Sequence, residues 1–298
     1  MSMIRKSHLS IALAGLALFT GSQAFACSTS LWGAGLTGGA GGAQAAVGGV
    51  VAGQPNGLGG GTATRYSGLC GLRAVSVGQN VADGSAVAEA TYIAAFYAHV
   101  NMTSGTPVLF RVAEGTSPEI AGSVPLIRIQ YNRTTQTFEA VNRTGVVSAI
   151  GTAGNAVNNK FYRVHLSWAR ATGNLDVTLQ GGGATTPITA ALTGFSSTGG
   201  ATGPDFSQLG WVEGTAVGQI NVDAFESRRS TTIPRLCRGD ANGDTNLNVG
   251  DRGTVTTETL GGALGAGQPD CNEDGLTNVG DRGCITTRVL AGNTCATP

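Results

Sequence analysis

The sequence predicts a mainly β protein, an antiparallel sandwich followed by a small C-terminal module that carries two short helices. Three observations lead there. From Arg65 to Arg229 the chain runs in short, alternating apolar segments separated by Gly, Asn, Ser and Thr clusters, the period-two pattern of half-buried strands. No stretch within those limits has the period of a long helix. Beyond them one segment is written twice, thirty residues apart.

The chain opens with Arg5, Lys6 and His8, an apolar run from Leu9 to Phe19, and Ala24-Phe25-Ala26. That order is an export signal with a small-x-small cleavage site, so residues 1–26 are expected to be removed and the mature chain to begin at Cys27. The run is too short to span a bilayer. The expected location is therefore secreted or at the cell surface, with lipid anchoring through Cys27 the less favoured outcome because Ala24 stands where a lipobox prefers Leu. Residues 27–64 are rich in Gly and Ala and uncharged up to Thr64. They read either as a linker or as loosely held first strands.

The sandwich is expected over 65–230. Tyr92, Ala94, Phe96, Ala98 and Val100 line one face of a strand; Val108, Phe110 and Val112 do the same, as do Ile127, Ile129 and Tyr131. Tyr162, Val164, Leu166 and Trp168 are followed, after Ala171-Thr-Gly-Asn174, by Leu175, Val177 and Leu179, which makes a hairpin with its turn residues in place. The run Gly218–Phe225 closes the domain. Nine to eleven such strands imply two packed antiparallel sheets, and about 165 residues suffice to bury roughly 70% of the unfolded surface.

The repeated segment reads Asp240-Ala-Asn242-Gly-Asp244-Thr-Asn246-Leu-Asn248-Val-Gly-Asp251 and then Asp270-Cys-Asn272-Glu-Asp274-Gly-Leu276-Thr-Asn278-Val-Gly-Asp281; over 240–262 and 270–292, thirteen of twenty-three positions are identical. Acidic or amide oxygens recur at loop positions 1, 3, 5, 9 and 12, with the carbonyl at position 7 (Asn246, Leu276) as a further donor, the EF-hand-like spacing that surrounds one Ca²⁺ with hard oxygen ligands. Two calcium ions are therefore expected. After each loop a short helix is expected, with Val255, Thr259 and Leu260 matched by Ile285, Val289 and Leu290; neither half buries that narrow face alone, so the two copies should pack together. The loops should differ in one respect. Gly275 stands at position 6 of the second, where φ is expected to be positive, whereas Thr245 stands there in the first, at a cost of about 1–3 kcal/mol for a β-branched residue.

Six cysteines remain after cleavage (Cys27, Cys70, Cys237, Cys271, Cys284, Cys295). An even number in an exported chain points to disulfides, with fifteen connectivities open; Cys237 and Cys295 bracket the repeat and are placed to clasp its ends. A zinc site is excluded by spacing, since there is no C-x₂-C pair and the histidines beyond the signal are His99 and His165. Residues 237–298 hold eight acids against four arginines, and 27–236 hold ten acids against twelve bases with no basic run. Neither nucleic-acid binding nor a membrane span is expected.

Asp at position 12, no entering helix and a tandem repeat together resemble the dockerin family, over about 237–298. The resemblance implies calcium-dependent docking to a cohesin-like partner. Thr245 departs from the family's loop glycine, Thr277 from its apolar position, and Val-Gly at positions 10 and 11 from the familiar Ser-Thr type. Over about 66–229 the strand order, Trp168, the Thr172-Gly-Asn turn and the closing Val222–Arg229 segment resemble the laminin-G/concanavalin-type jelly roll, many members of which bind glycans or proteins while others are hydrolases.

For those hydrolases the resemblance implies an E-x-D-x-x-E strand, and that string is absent. Asp223 and Glu226 are the nearest carboxylates, but i and i+3 on a strand face opposite ways; they read as surface acids paired with Arg228 or Arg229. His165 is expected on an outer sheet face. No serine lies in G-x-S-x-G, Gly194-Phe-Ser-Ser-Thr-Gly included, and bridged cysteines offer no thiol. The sequence thus predicts a chain without enzymatic activity: a glycan- or protein-recognising sandwich joined to a calcium-dependent docking module. A dockerin-tethered, polysaccharide-active hydrolase is the main alternative. The third is a structural surface protein whose calcium module folds onto its own sandwich.

Overall fold

The computed structural model describes residues 65–68, 71–84, 89–114, 123–184, 186–196 and 203–295. The expected export signal over 1–26, the 27–64 segment, Cys27 and Cys70 lie outside the described residues. Twelve strands are described: β1 (Leu72–Ala74), β2 (Asn80–Asp83), β3 (Thr91–Gly105), β4 (Val108–Glu114), β5 (Val124–Asn132), β6 (Thr137–Asn142), β7 (Val147–Ala149), β8 (Phe161–Ala169), β9 (Asn174–Gly181), β10 (Ile188–Leu192), β11 (Phe206–Glu213) and β12 (Ala216–Arg228). They form two six-stranded sheets, β1-β12-β3-β8-β9-β10 and β2-β11-β4-β5-β6-β7, antiparallel throughout. The architecture is a mainly β, jelly-roll-like antiparallel sandwich. Two short helices follow, α1 (Val249–Thr259) and α2 (Val279–Leu290), and no helix among the described residues is long and apolar enough to cross a membrane.

The alternating residues do what alternation requires. Tyr92, Phe96, Phe110, Ile129, Val164 and Trp168 all reach 0% exposure and meet between the sheets in one core. The hairpin after Ala169 is present, with Ala169 opposite Asn174 and Trp168 opposite Leu175. Trp168 also satisfies its indole by donating Nε1–H to the Phe195 carbonyl at 2.7 Å, as a buried polar tip should.

The first sheet departs from the simple inside–outside pattern. β3 is buried on both faces from Tyr92 to Val100. Its outward residues Ile93 and Ala95 pack on Ile233, and Tyr97 packs with Tyr66 and Phe161. The segment after β12 and the C-terminal module cover this face. Arg163 donates to the Ile233 carbonyl, and the Leu236 amide donates to Tyr97 Oη at 2.8 Å.

Two expectations are corrected here. Asp223 is not a surface acid: it is 6% exposed and accepts the amides of Tyr66 (2.6 Å), Ser67 (2.9 Å) and Ala224 (2.7 Å). Only Glu226 pairs outside, with Arg228 at 2.5 Å. In the helices Val255 and Ile285 are fully buried, but Leu260 and Leu290 are 82% and 83% exposed. Val289 packs against that core as expected, but Thr259 is exposed, and the residues three beyond each buried anchor, Glu258 and Arg288, are buried instead, because that position turns toward the sandwich.

Candidate metal centre

Each loop is shaped by its own first aspartate. Asp240 accepts the amides of Gly243 (2.8 Å) and Asp244 (3.1 Å) on one oxygen and that of Thr245 (2.9 Å) on the other. Asp270 takes Asp274 at 3.0 Å and Gly275 at 2.7 Å in the same way. The position-3 amides Asn242 and Asn272 accept the N–H of residue 5 at 2.9 and 3.0 Å, and the position-5 aspartates Asp244 and Asp274 accept that of residue 7, Asn246 at 2.8 Å and Leu276 at 2.9 Å. Such side-chain-to-backbone turns are what Asp and Asn do best outside helices.

The last aspartate closes each loop and starts each helix. Asn248 caps α1 and Asn278 caps α2 with nearly identical backbone angles, φ −150 and −151, ψ −174 and −169. Asp251 and Asp281 return the bond to the cap amide at 2.8 Å in both copies, a reciprocal capping box with the negative charge at the helix N-terminus. Their second oxygens accept from Asn242 (3.3 Å) and Asn272 (3.1 Å). All twelve sequence-selected positions thus sit in two matching loops.

The electrostatics are unbalanced. Asp240, Asp251, Asp270 and Asp281 are 5%, 0%, 1% and 0% exposed, and among the described residues none forms an ion pair with Lys or Arg. Burial, then the neighbouring Asp281 and Asp274, push the Asp270 carboxyl well above its usual range; burial holds Asp281 up at about 6. Buried carboxylates without a counter-charge are costly. This donor set of hard oxygens on a preformed backbone suits a divalent cation. The three carboxylates of neither loop are drawn within 4.8 Å of one another; the trio that meets this separation among the described residues is Cys237, Asp240 and Cys295. The two sulfurs of that trio are bonded to each other, so they are not thiolate ligands.

The clasp between Cys237 and Cys295 forms with Cα atoms 4.6 Å apart, and Cys271 joins Cys284 at 5.8 Å. Cys271 lies in the second loop and Cys284 in α2, so this bridge ties the loop to its own helix. His99 and His165 are each lowered to about 4, both chiefly by burial.

The sequence did not reveal Glu273, at position 4 of the second loop. It is 1% exposed and receives Tyr66 Oη–H at 3.0 Å, the Gly183 amide at 3.1 Å and the Arg235 guanidinium. Nor did it reveal the buried pair Arg65–Glu258 at 2.6 Å. A lone Glu in place of the first copy's Gly243 was the available signal.

No protein-family model matches the chain, and no curated protein matches it. Among solved structures, a Trypanosoma rangeli sialidase in complex with the inhibitor DANA aligns with a TM-score of 0.40 at 18% identity, over 56% of this chain and 27% of the sialidase. A tailspike protein from an Escherichia coli O157:H7 bacteriophage gives 0.37 at 14%, over 56% and 25%. An alginate lyase from Pseudomonas aeruginosa gives 0.32 at 11%, over 48% and 66%. The chain spans about a quarter of the sialidase's length. One expectation is corrected against these neighbours: the absence of enzymatic activity is withdrawn, since structures named as a sialidase and an alginate lyase stand among them. The physical reason is that the missing E-x-D-x-x-E string tests one carboxylate arrangement.

Proposed function

We propose that this chain is an exported, calcium-dependent recognition and assembly protein. Its dockerin-like repeat holds two Ca²⁺ ions, one on Asp240, Asn242, Asp244, the Asn246 carbonyl, Asn248 and Asp251, the other on Asp270, Asn272, Asp274, the Leu276 carbonyl, Asn278 and Asp281. The laminin-G/concanavalin-like sandwich meets a glycan. The repeat docks the whole to a cohesin-like partner.

The observation that carries the calcium reading is the pair of matching loops whose four buried aspartates form no ion pair with Lys or Arg among the described residues. Two like loops enclosing uncompensated negative charge are poorly suited to be plain turns. The docking reading draws on the corners of the helices. Val249 and Leu260, and their repeats Val279 and Leu290, are 70%, 82%, 69% and 83% exposed. These equivalent apolar positions remain open while the module lies on the sandwich. Titration calorimetry of the full chain should find two Ca²⁺ sites, and Asp244→Asn should remove or weaken one of them. Fewer than two sites in the wild-type chain would sink the calcium reading. Retention of a cohesin domain in calcium and its release by chelator would support docking; no retention in either condition would remove it.

A further inference from the structure

The two loops share a backbone but place their glycines differently. Positions 4 and 6 have positive φ in both: Gly243 at 77 and Thr245 at 68 in the first, Glu273 at 58 and Gly275 at 84 in the second. Glycine takes that conformation freely and other residues do not. The second loop therefore carries a strained, non-glycine residue at position 4, and the strain is placed where the loop meets the sandwich. Glu273 fills a buried polar socket made by Tyr66, Gly183 and Arg235, with Arg238 at 3.9 Å, while its carbonyl accepts the Phe161 amide at 2.9 Å. At position 6 the His99 ring from β3 occupies the space a Cβ would need, so glycine is required there on two counts. In the first loop the same two residues, Gly243 and Thr245, are exposed.

We infer that the second loop is a calcium-controlled latch between the two domains, with Glu273 as its bolt. The inference rests on the calcium reading above. Its physical basis is that the peptide 273–275 serves both ends. Asp274 is a metal-ligand position, Asp270 binds the amides of Asp274 and Gly275, and the residue between Asn272 and Asp274 is the bolt itself. An ion that gathers Asp270, Asn272 and Asp274 fixes the backbone that aims Glu273 and leaves room for His99. Coupling of this kind is reciprocal, so engagement of the sandwich should tighten the second site as well. Among the described residues no ion pair or backbone hydrogen bond joins the first loop to the Glu273 socket, so an ion in the first loop should leave that socket unaffected.

Hydrogen exchange on the full chain tests this with two reporters, the Phe161 and Gly183 amides, both of which donate to Glu273. Chelation should lower their protection on the order of tenfold or more, a coupling of ordinary size, while the core amide of Leu166 stays unchanged. Asp274→Asn should reproduce the effect in calcium, and Asp244→Asn should not. Glu273→Gly should leave the Gly183 reporter, which loses its carboxylate acceptor, unprotected in calcium and lower protection less at Phe161, whose acceptor is the residue-273 carbonyl, while the chain still binds two ions. Glu273→Gln keeps the length and loses the charge paired with Arg235, so it should fall between; a Gln variant indistinguishable from wild type removes the bolt. Two bound ions with reporter protection indifferent to chelator would overturn the latch and leave the calcium reading standing. No bound calcium would overturn both.

Discussion

At the scale of single residues, Thr245 is a β-branched side chain held at φ 68, in the region such residues avoid. Thr245→Gly should relieve that strain and raise the affinity of the first loop, read by calcium titration of the two sites; the second loop carries its own non-glycine residue at positive φ, Glu273 at 58. An unchanged first site would mean the strain is not spent against metal binding. Asp223 supplies a pH prediction. Burial, outweighing three amide hydrogen bonds, raises its carboxyl from 3.8 to about 6. The folded state therefore binds the proton more tightly than the unfolded chain, so this group's contribution is full below about pH 4 and is lost as pH rises toward 6. Denaturant unfolding between pH 4 and 7 should show a decline in the wild type that Asp223→Asn flattens; equal slopes for the two proteins would place the charged form in the fold without cost. Trp168→Ala removes a fully buried indole and should cost about 3–5 kcal/mol, measured in the same way.

At the scale of elements, legibility in the sequence followed the range of the interaction. The core face of each strand was legible because alternation is local: Tyr162, Val164, Leu166 and Trp168 point inward as their spacing demands. The helices were legible as elements since Asn248 and Asn278 cap them from within the repeat. What escaped was the second face of β3. Ile93, Ala95 and Tyr97 beside Tyr92, Ala94 and Phe96 make a continuous apolar run, and a run of that kind is a strand covered on both sides. The covering itself was illegible, because Arg65 meets Glu258 across 193 residues and Tyr66 meets Glu273 across 207. Periodicity carries no information at that separation. Leu260 and Leu290 were misplaced for a related reason. A three-residue helical pattern has more than one solution, and the sandwich decides which side of α1 and α2 is inside.

At the scale of the whole molecule, the repeat has a small core of its own, centred on Ala241, Val255, Cys271 and Ile285. That is little apolar area for sixty residues, and such modules rely on staples. Here the staples are two disulfides and the docked face. Arg65 and Glu258 form an ion pair whose side chains are 3% and 1% exposed, and Glu258 also accepts the Gly265 amide at 3.1 Å. Removing one member of a buried pair strands the other charge, which costs about 3–5 kcal/mol, whereas replacing both with apolar residues of similar volume is often neutral. Arg65→Met alone should therefore destabilise the chain strongly, and Arg65→Met with Glu258→Leu should recover most of the loss. Calorimetry in calcium should show one cooperative unfolding transition for the wild type. If the docked face couples the domains, Arg65→Met should split off a lower transition belonging to the repeat, and the double variant should merge it back. A single transition of unchanged midpoint in Arg65→Met would mean that the two domains unfold together without help from this pair, leaving the Glu273 socket to carry the coupling.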